Sequence, residues 1–133
     1  MAARRLELSV LPERFAVCRL GPSSALPAWL PDKGFVCVTR TADDLSIVCD
    51  EACVPSGVKS QRGRAILSVH GPVEFSEVGV LAALAVPLAD AGISIFVVST
   101  YNTDHLIVAE EDLGPTIAAL TAAGHKIHRS SGR

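Results

Sequence analysis

Ala65-Ile66-Leu67-Ser68-Val69, Ile93 to Val98, His105 to Ala109 and His125 to Arg129 decide the fold of this chain. Each is a short apolar run with strand character, bounded by turn residues. Helical patterns fill two of the gaps between them. Ser76 stands where a hydroxyl caps the first N–H groups of a helix. After it, Val78, Leu81, Ala85 and Leu88 recur at helical spacing. Pro87 predicts a kink or a tightened last turn, and Gly92 sits where a left-handed C-cap belongs. Glu110, Glu111 and Asp112 bring negative charge to the start of a second helix, and Pro115 is tolerated in its first turn. Leu113, Ile117 and Leu120 mark its inner face, and Gly124 ends it. The order is β-α-β-β-α-β, the split βαβ or ferredoxin-like plan of an α/β (α+β) domain, with helices on one face of an antiparallel sheet.

The earlier residues supply four more strand patterns: 5–10, 15–20, 35–39 and 45–49. Residues 21–34, with three prolines and Trp29, read as a loop. Residues 54–63 read as an exposed connection, which places the boundary between halves there. A shift of 59 positions sets 35–51 on 94–110 without a gap, bringing Thr41 onto Thr100 and Glu51 onto Glu110. Two unrelated hairpins also align this way, so the match stands open between coincidence and two copies of one module. In the second case the first copy has its first helix reduced to the 21–34 loop.

Composition excludes several classes of function. A net charge of −2 and a pI near 6.0 leave no basic footprint for nucleic acid. The apolar content of 49% is too high for a disordered chain. The longest weakly polar stretch, 78–89, is too short to span a membrane. Glu7, Pro12, Glu13 and Arg14 interrupt what would be the apolar part of a signal peptide, so a cytoplasmic protein is expected. Cys18, Cys37 and Cys49 lie within strand patterns, with Cys53 close behind and no partner pair at zinc spacing. Reduced thiols without metal are expected, and neither metal nor cofactor. No phosphate loop, H-E-x-x-H or G-x-S-x-G occurs. Cys49 with His70 or His105 is the thiol pair that an enzyme would have to use, and no spacing supports it. His125 and His128 are expected to be solvated.

Binding is better supported. The segment 71–79 joins a strand to a helix start, where unpaired N–H groups seat a carboxylate. Gly79 either lets a ligand approach closely or lets the helix pack on the sheet. Thr100, Tyr101, Asn102, Thr103 and Asp104 form a polar turn between apolar strands. Asn102 fits a left-handed turn position. Asp104 offers a carboxylate to a cation, or caps the turn.

These residues resemble a known family. Gly71-Pro72-x-x-Phe75-Ser76-Glu77-Val78-Gly79-Val80-Leu81-Ala82, Ala91-Gly92-Ile93, and Ser99-Thr100-Tyr101-x-Thr103-Asp104 are similar to small tandem ACT-domain proteins, as is Thr39-Arg40-Thr41-x-Asp43-x-Leu45-Ser46-Ile47-Val48. The pattern is shared with eukaryotic cytosolic tandem-ACT arginine sensors. The resemblance implies a truncated ACT-like module at 1–62 and a complete ACT domain at 63–133. It implies non-catalytic binding of an amino acid or related metabolite at an ACT–ACT interface, in a sensing or regulatory role toward an unknown target. It implies ligand contacts from Ser46, Ile47, Val48, Glu77, Val78, Gly79, Val80, Thr100, Tyr101 and Asp104. Asp104, helped by Glu77, would face an ammonium or guanidinium. A homodimer is expected, because ACT domains commonly pair side by side. The alternatives are an assembly module without ligand and, third, a thiol-dependent enzyme.

Overall fold

The structure, a computed structural model, describes residues 5–72 and 78–129. The chain forms two compact units, Glu13–Arg64 and Met1–Pro12 with Ala65–Arg133. This division differs from the expected 1–62 and 63–133 in two respects: residues 1–12 join the later unit, and the boundary falls after Arg64. The reason is strand pairing. Strand β1 (Glu7–Val10) runs antiparallel to β5 (Ser60–Val69), with Leu8 opposite Val69. It runs parallel to β8 (Lys126–Arg129), with Leu8 opposite Ile127.

In the larger unit, α1 (Val80–Asp90), β6 (Phe96–Ser99), β7 (Asp104–Ala109) and α2 (Leu113–Ala122) lie between β5 and β8. β6 pairs with β7, and β7 with β5, so the strands run β6-β7-β5-β1-β8. That is the ferredoxin-like order with β1 inserted between the first and last strands of the motif. Leu8, Val10, Leu67, Val69, Leu106 and Val108 face Leu84, Leu88, Leu113 and Leu120 in one apolar core. The residues that alternate with them on the strands occupy the opposite face of the sheet.

Helix α1 starts at Val80, with Gly79 as N-cap, three residues beyond the expected cap Ser76. Ser76 itself lies outside the described residues. The buried stripe is Val80, Leu84 and Leu88, whereas the expected Val78 and Leu81 are exposed. Both patterns are helical in period. The true one lies on the i, i+4 row, and the late start moves Val78 off the helix. Both helices close as expected on left-handed glycines, Gly92 and Gly124. Ile93 N–H bonds to Leu88 O, and His125 N–H to Leu120 O, the long closing bond of a Schellman motif.

The smaller unit repeats the strand order without the helices. β3 (Cys37–Arg40), β4 (Leu45–Asp50), β2 (Phe15–Leu20) and residues 60–64 of β5 are successive neighbours. The expectation of one missing helix is thus too modest: both positions are helix-free in this unit. Trp29 and Leu30 from the first connection, and Val54 and Val58 from the second, cover Ala16, Cys18, Ile47 and Cys49 instead. Residues 60–63 are strand, not the exposed connection that their polar composition suggests. Arg62 donates to the carbonyls of Glu51, Val54 and Pro55, and Gly63 N–H to Glu51 Oε1 at 2.9 Å, so polar side chains do the holding there.

Candidate functional site

The β6–β7 turn is built by threonine. Thr100 N–H donates to Thr103 O at 2.8 Å, and the Thr100 hydroxyl donates to the same carbonyl. No non-glycine residue among those described has a positive φ, so Asn102 does not use its left-handed tolerance; Thr100 closes the turn instead. The Thr103 hydroxyl reaches across to Val69 O at 2.9 Å. That bond ties the turn to the end of β5, the strand whose continuation leads to α1. In the ferredoxin-like plan a helix that follows a strand begins at that strand's end, which puts the start of α1 at the same end of the sheet as the turn.

Gly79 takes φ 82°, and no side chain caps the helix among the described residues. Ala83 N–H bonds to Gly79 O at 2.9 Å and closes the first turn. The N–H groups of the residues before Ala83 have no partner within the helix, as at any helix start, and the helix dipole adds positive potential there. A Cβ on Gly79 would meet nothing within 4 Å. Of the two expected reasons for this glycine, close packing of the helix on the sheet does not apply, and the positive φ by itself demands glycine. Val78 beside it is 89% exposed, while Val80 is buried in the core.

Asp104 opens β7, opposite Ser99, whose hydroxyl donates to Asp104 Oδ1 at 2.7 Å. The carboxylate is half-buried. Tyr101 is 82% exposed at the tip of the turn. Beside Asp104, His105 Nδ1 lies 2.7 Å from the Ser68 hydroxyl. Burial pushes the His105 pKa down, and the adjacent Asp104 carboxylate opposes that shift. Chemically, this end of the sheet offers a positive backbone seat, a carboxylate and hydroxyl donors.

Val78, Gly79, Val80, Thr100, Tyr101 and Asp104 thus belong to one unit and, with their elements, to one end of it. Glu77 lies outside the described residues. Ser46, Ile47 and Val48 lie in the other unit, on β4, which is paired on both sides. Ile47 is fully buried in that unit's core, Val48 is buried on the opposite face of the strand, and Ser46 is half-buried.

Two of the four cysteines, Cys18 and Cys49, behave as core residues, and Cys37 and Cys53 are half-buried. Cys18 and Cys49 are buried, and burial raises the pKa of both thiols, Cys49 to about 12. A thiol so held is a poor nucleophile. His125, expected to be solvated, is instead 4% exposed. Its Nε2 donates to Ala83 O at 2.9 Å, and its Nδ1 accepts from Leu6 N–H at 3.0 Å. The one cue in the sequence is Pro87, which has no N–H to offer the Ala83 carbonyl.

A family model described as ACT domain matches residues 59–122, and a model of an N-terminal domain matches 13–57. Over 49 residues the chain is 45% identical to the cytosolic arginine sensor for mTORC1 subunit 1 of Homo sapiens; the stretch is 37% of this chain and 15% of that protein. The chain therefore corresponds to a small part of the curated relatives it matches. The crystal structure of protein Atu0741 from Agobacterium tumefaciens is similar with a TM-score of 0.91 and 41% identity, covering 96% of both chains. An aspartate kinase of Clostridium acetobutylicum, an allosteric enzyme, is similar in fold alone: TM-score 0.65 and 11% identity over 92% of this chain and 35% of that one. With the ferredoxin-like strand order, two left-handed glycine caps and this set of matches, residues 59–122 belong to the ACT-domain family.

Proposed function

We propose that the protein is a non-catalytic regulatory module that binds an amino acid, with the α1 start and the β6–β7 turn as the recognition end. The observation that carries this reading is the sharing of one sheet end by the Gly79-capped helix start and the Asp104 carboxylate. The two offer seats of opposite sign, which suits a zwitterion. Backbone N–H groups near Gly79 receive the carboxylate. Asp104, oriented by Ser99, receives an ammonium or guanidinium, with Glu77 assisting. Thr100, Tyr101, Val78 and the backbone at Val80 border the ligand.

Arginine heads the ligands to test, because the human relative is named as an arginine sensor. A cytosolic location is proposed on the same ground. Among the described residues no helix is long and apolar enough to cross a membrane. A thermal-shift screen against the standard amino acids tests the reading. At about 100 times its dissociation constant a ligand adds roughly 2.7 kcal/mol of stability. Asp104→Asn keeps the shape and removes the charge, and should abolish that stabilisation. If no amino acid shifts the transition, the reading fails.

Assembly without ligand is the second reading. It is favoured by Val78 at 89%, Val86 at 57% and Leu81 at 42% exposure, large apolar side chains on or beside α1. They also support a homodimer, the commonest closed pairing. Light scattering that shows a monomer at micromolar concentration would remove that support.

A further inference from the structure

Three of the four histidines, His70, His105 and His128, lie on the face of the larger unit's sheet that turns away from the helices. Two of them meet an acid there. Glu7 on β1 stands between His70, which follows β5, and His128 on β8. Glu7 Oε1 is 3.3 Å from His128 Nε2, and Glu7 Oε2 is 3.8 Å from His70 Nδ1. One ligand atom from each residue lies within 4.8 Å of the others.

We propose that Glu7, His70 and His128 form a three-ligand site for a divalent transition metal of the zinc type. This is independent of the amino-acid reading and uses other residues. Donors bound to zinc at about 2.0–2.1 Å in tetrahedral geometry stand roughly 3.3–3.4 Å apart. Glu7 Oε1 already stands at that distance from His128 Nε2, Glu7 Oε2 is about 0.4 Å too far from His70 Nδ1, and the three ligand atoms lie within 4.8 Å of one another, so side-chain rotation must close the set by at most about 1.5 Å. One carboxylate and two imidazoles are a borderline-soft set that suits zinc better than calcium or magnesium.

The surroundings fit as well. The Ser9 hydroxyl lies 2.6 Å from His70 Nε2, which leaves Nδ1 as the nitrogen aimed at Glu7. Such an outer partner is what fixes the tautomer and orientation of a ligating histidine. The three ligands come from adjacent strands, so their backbones are held by pairing: Glu7 is opposite Lys126, and His70 N–H bonds to Glu7 O at 2.8 Å. All three side chains are between two fifths and about half exposed, so an ion reaches them from solvent. Two groups must yield. Lys126 Nζ, 3.9 Å from Glu7 Oε1 and 70% exposed, swings into water. The His70 and His128 rings are stacked, with centroids 5.1 Å apart and planes at 12°, so one turns about χ2 to aim its lone pair at the ion. A water takes the fourth position, as in other three-ligand zinc sites.

The test uses the untagged full chain, stripped with a chelator and titrated with zinc chloride in a calorimeter. One zinc per chain is expected, with micromolar or tighter affinity. His70→Ala and His128→Ala should each weaken it by at least about tenfold, and Ser9→Ala by about ten- to a hundredfold, the usual loss for an outer-shell partner. His128→Gln serves as a second variant at that position should alanine disturb the strand, and circular dichroism without metal checks that each variant folds. Cys37→Ser and Cys53→Ser should bind as the parent does. Anomalous scattering at the zinc edge should peak between the three side chains. Absence of saturable binding up to millimolar zinc would overturn the proposal and leave a surface hydrogen-bond network. So would binding retained by the His70→Ala/His128→Ala double variant, or binding lost with the thiols.

Discussion

His125→Ala should destabilise the larger unit through the Ala83 carbonyl, 42 residues away in sequence. Pro87 lies within α1 and has no N–H, so the Ala83 carbonyl lacks its helical donor. His125 supplies one from Nε2 at 2.9 Å, and accepts the Leu6 N–H on Nδ1 at 3.0 Å. One nitrogen donates and the other accepts, so the ring is the neutral Nε2–H tautomer. Alanine leaves both backbone groups unpaired. An unsatisfied buried group costs about 1–3 kcal/mol. Both bonds are part-buried, which puts the sum near 2–4 kcal/mol.

The stronger test is a double-mutant cycle. Pro87→Ala restores an N–H four residues after Ala83, so the carbonyl no longer depends on the imidazole. His125→Ala should then cost about 1–2 kcal/mol less in the Pro87→Ala background than in the parent. Urea unfolding of the four proteins, followed by circular dichroism, gives the coupling energy. A coupling indistinguishable from zero, within about 0.3–0.5 kcal/mol, refutes the link between Pro87 and His125. A loss below about 1 kcal/mol for His125→Ala alone refutes the burial argument as well.

Gly79→Ala should cost about 1–2 kcal/mol in thermal unfolding, from the positive φ alone, because its new methyl meets nothing; a neutral result would mean that the helix start relaxes. Thr116→Val should stabilise by about 1 kcal/mol in urea, since the Thr116 hydroxyl is fully buried without a partner among the described residues; a loss of stability would show that the hydroxyl is satisfied. His105→Gln should reduce the loss of stability on acidification. Burial holds the folded-state pKa of His105 below its ordinary 6.5, so the unfolded chain binds more protons and stability falls as pH drops below 6.5 through the folded value. Urea midpoints between about pH 8 and pH 5 check this, and an unchanged slope counts against it.

The β-α-β-β-α-β order was legible because each of its elements carries a local pattern or cap. Gly92, Gly124 and Glu110–Asp112 punctuate the chain where the structure does. What escaped were features set by distant partners. β1 has a clear strand pattern, but its neighbours β5 and β8 are remote in sequence, so alternation could not say which unit it joins. Residues 60–63 read as loop because Ser, Gln, Arg and Gly carry no apolar alternation; their pairing with β2 is a tertiary fact. The late start of α1 escaped because Ser76 is a good cap by type while Gly79 caps by φ, which sequence does not display. At the candidate site, residue types were readable. The burial of Ile47 and Val48 was not, since an apolar strand residue reads alike whether it lines a pocket or fills a core.

The 59-residue shift adds a comparison internal to the chain. It carries β3 onto β6, β4 onto β7, and the 3-10 turn Glu51–Cys53 onto Glu110–Asp112 without an error of one residue. The turns agree in chemistry too: Thr41 N–H bonds to Asp44 O as Thr100 N–H bonds to Thr103 O. Coincidental hairpins have no reason to share boundaries, turn bonding and the following 3-10 turn together, so one module used twice accounts for them better. The copies differ where ligand chemistry was assigned. Leu45, fully buried, corresponds to Asp104, half-buried and bonded to Ser99. A carboxylate is a costly occupant for a position that its twin fills with leucine. The Ser99 hydroxyl offsets part of that cost and also orients the carboxylate. Turn closure cannot be what retains Asp104, because Thr100 closes the turn. The same hairpin therefore supplies core packing in one unit and, in the other, a charge that folding alone does not require.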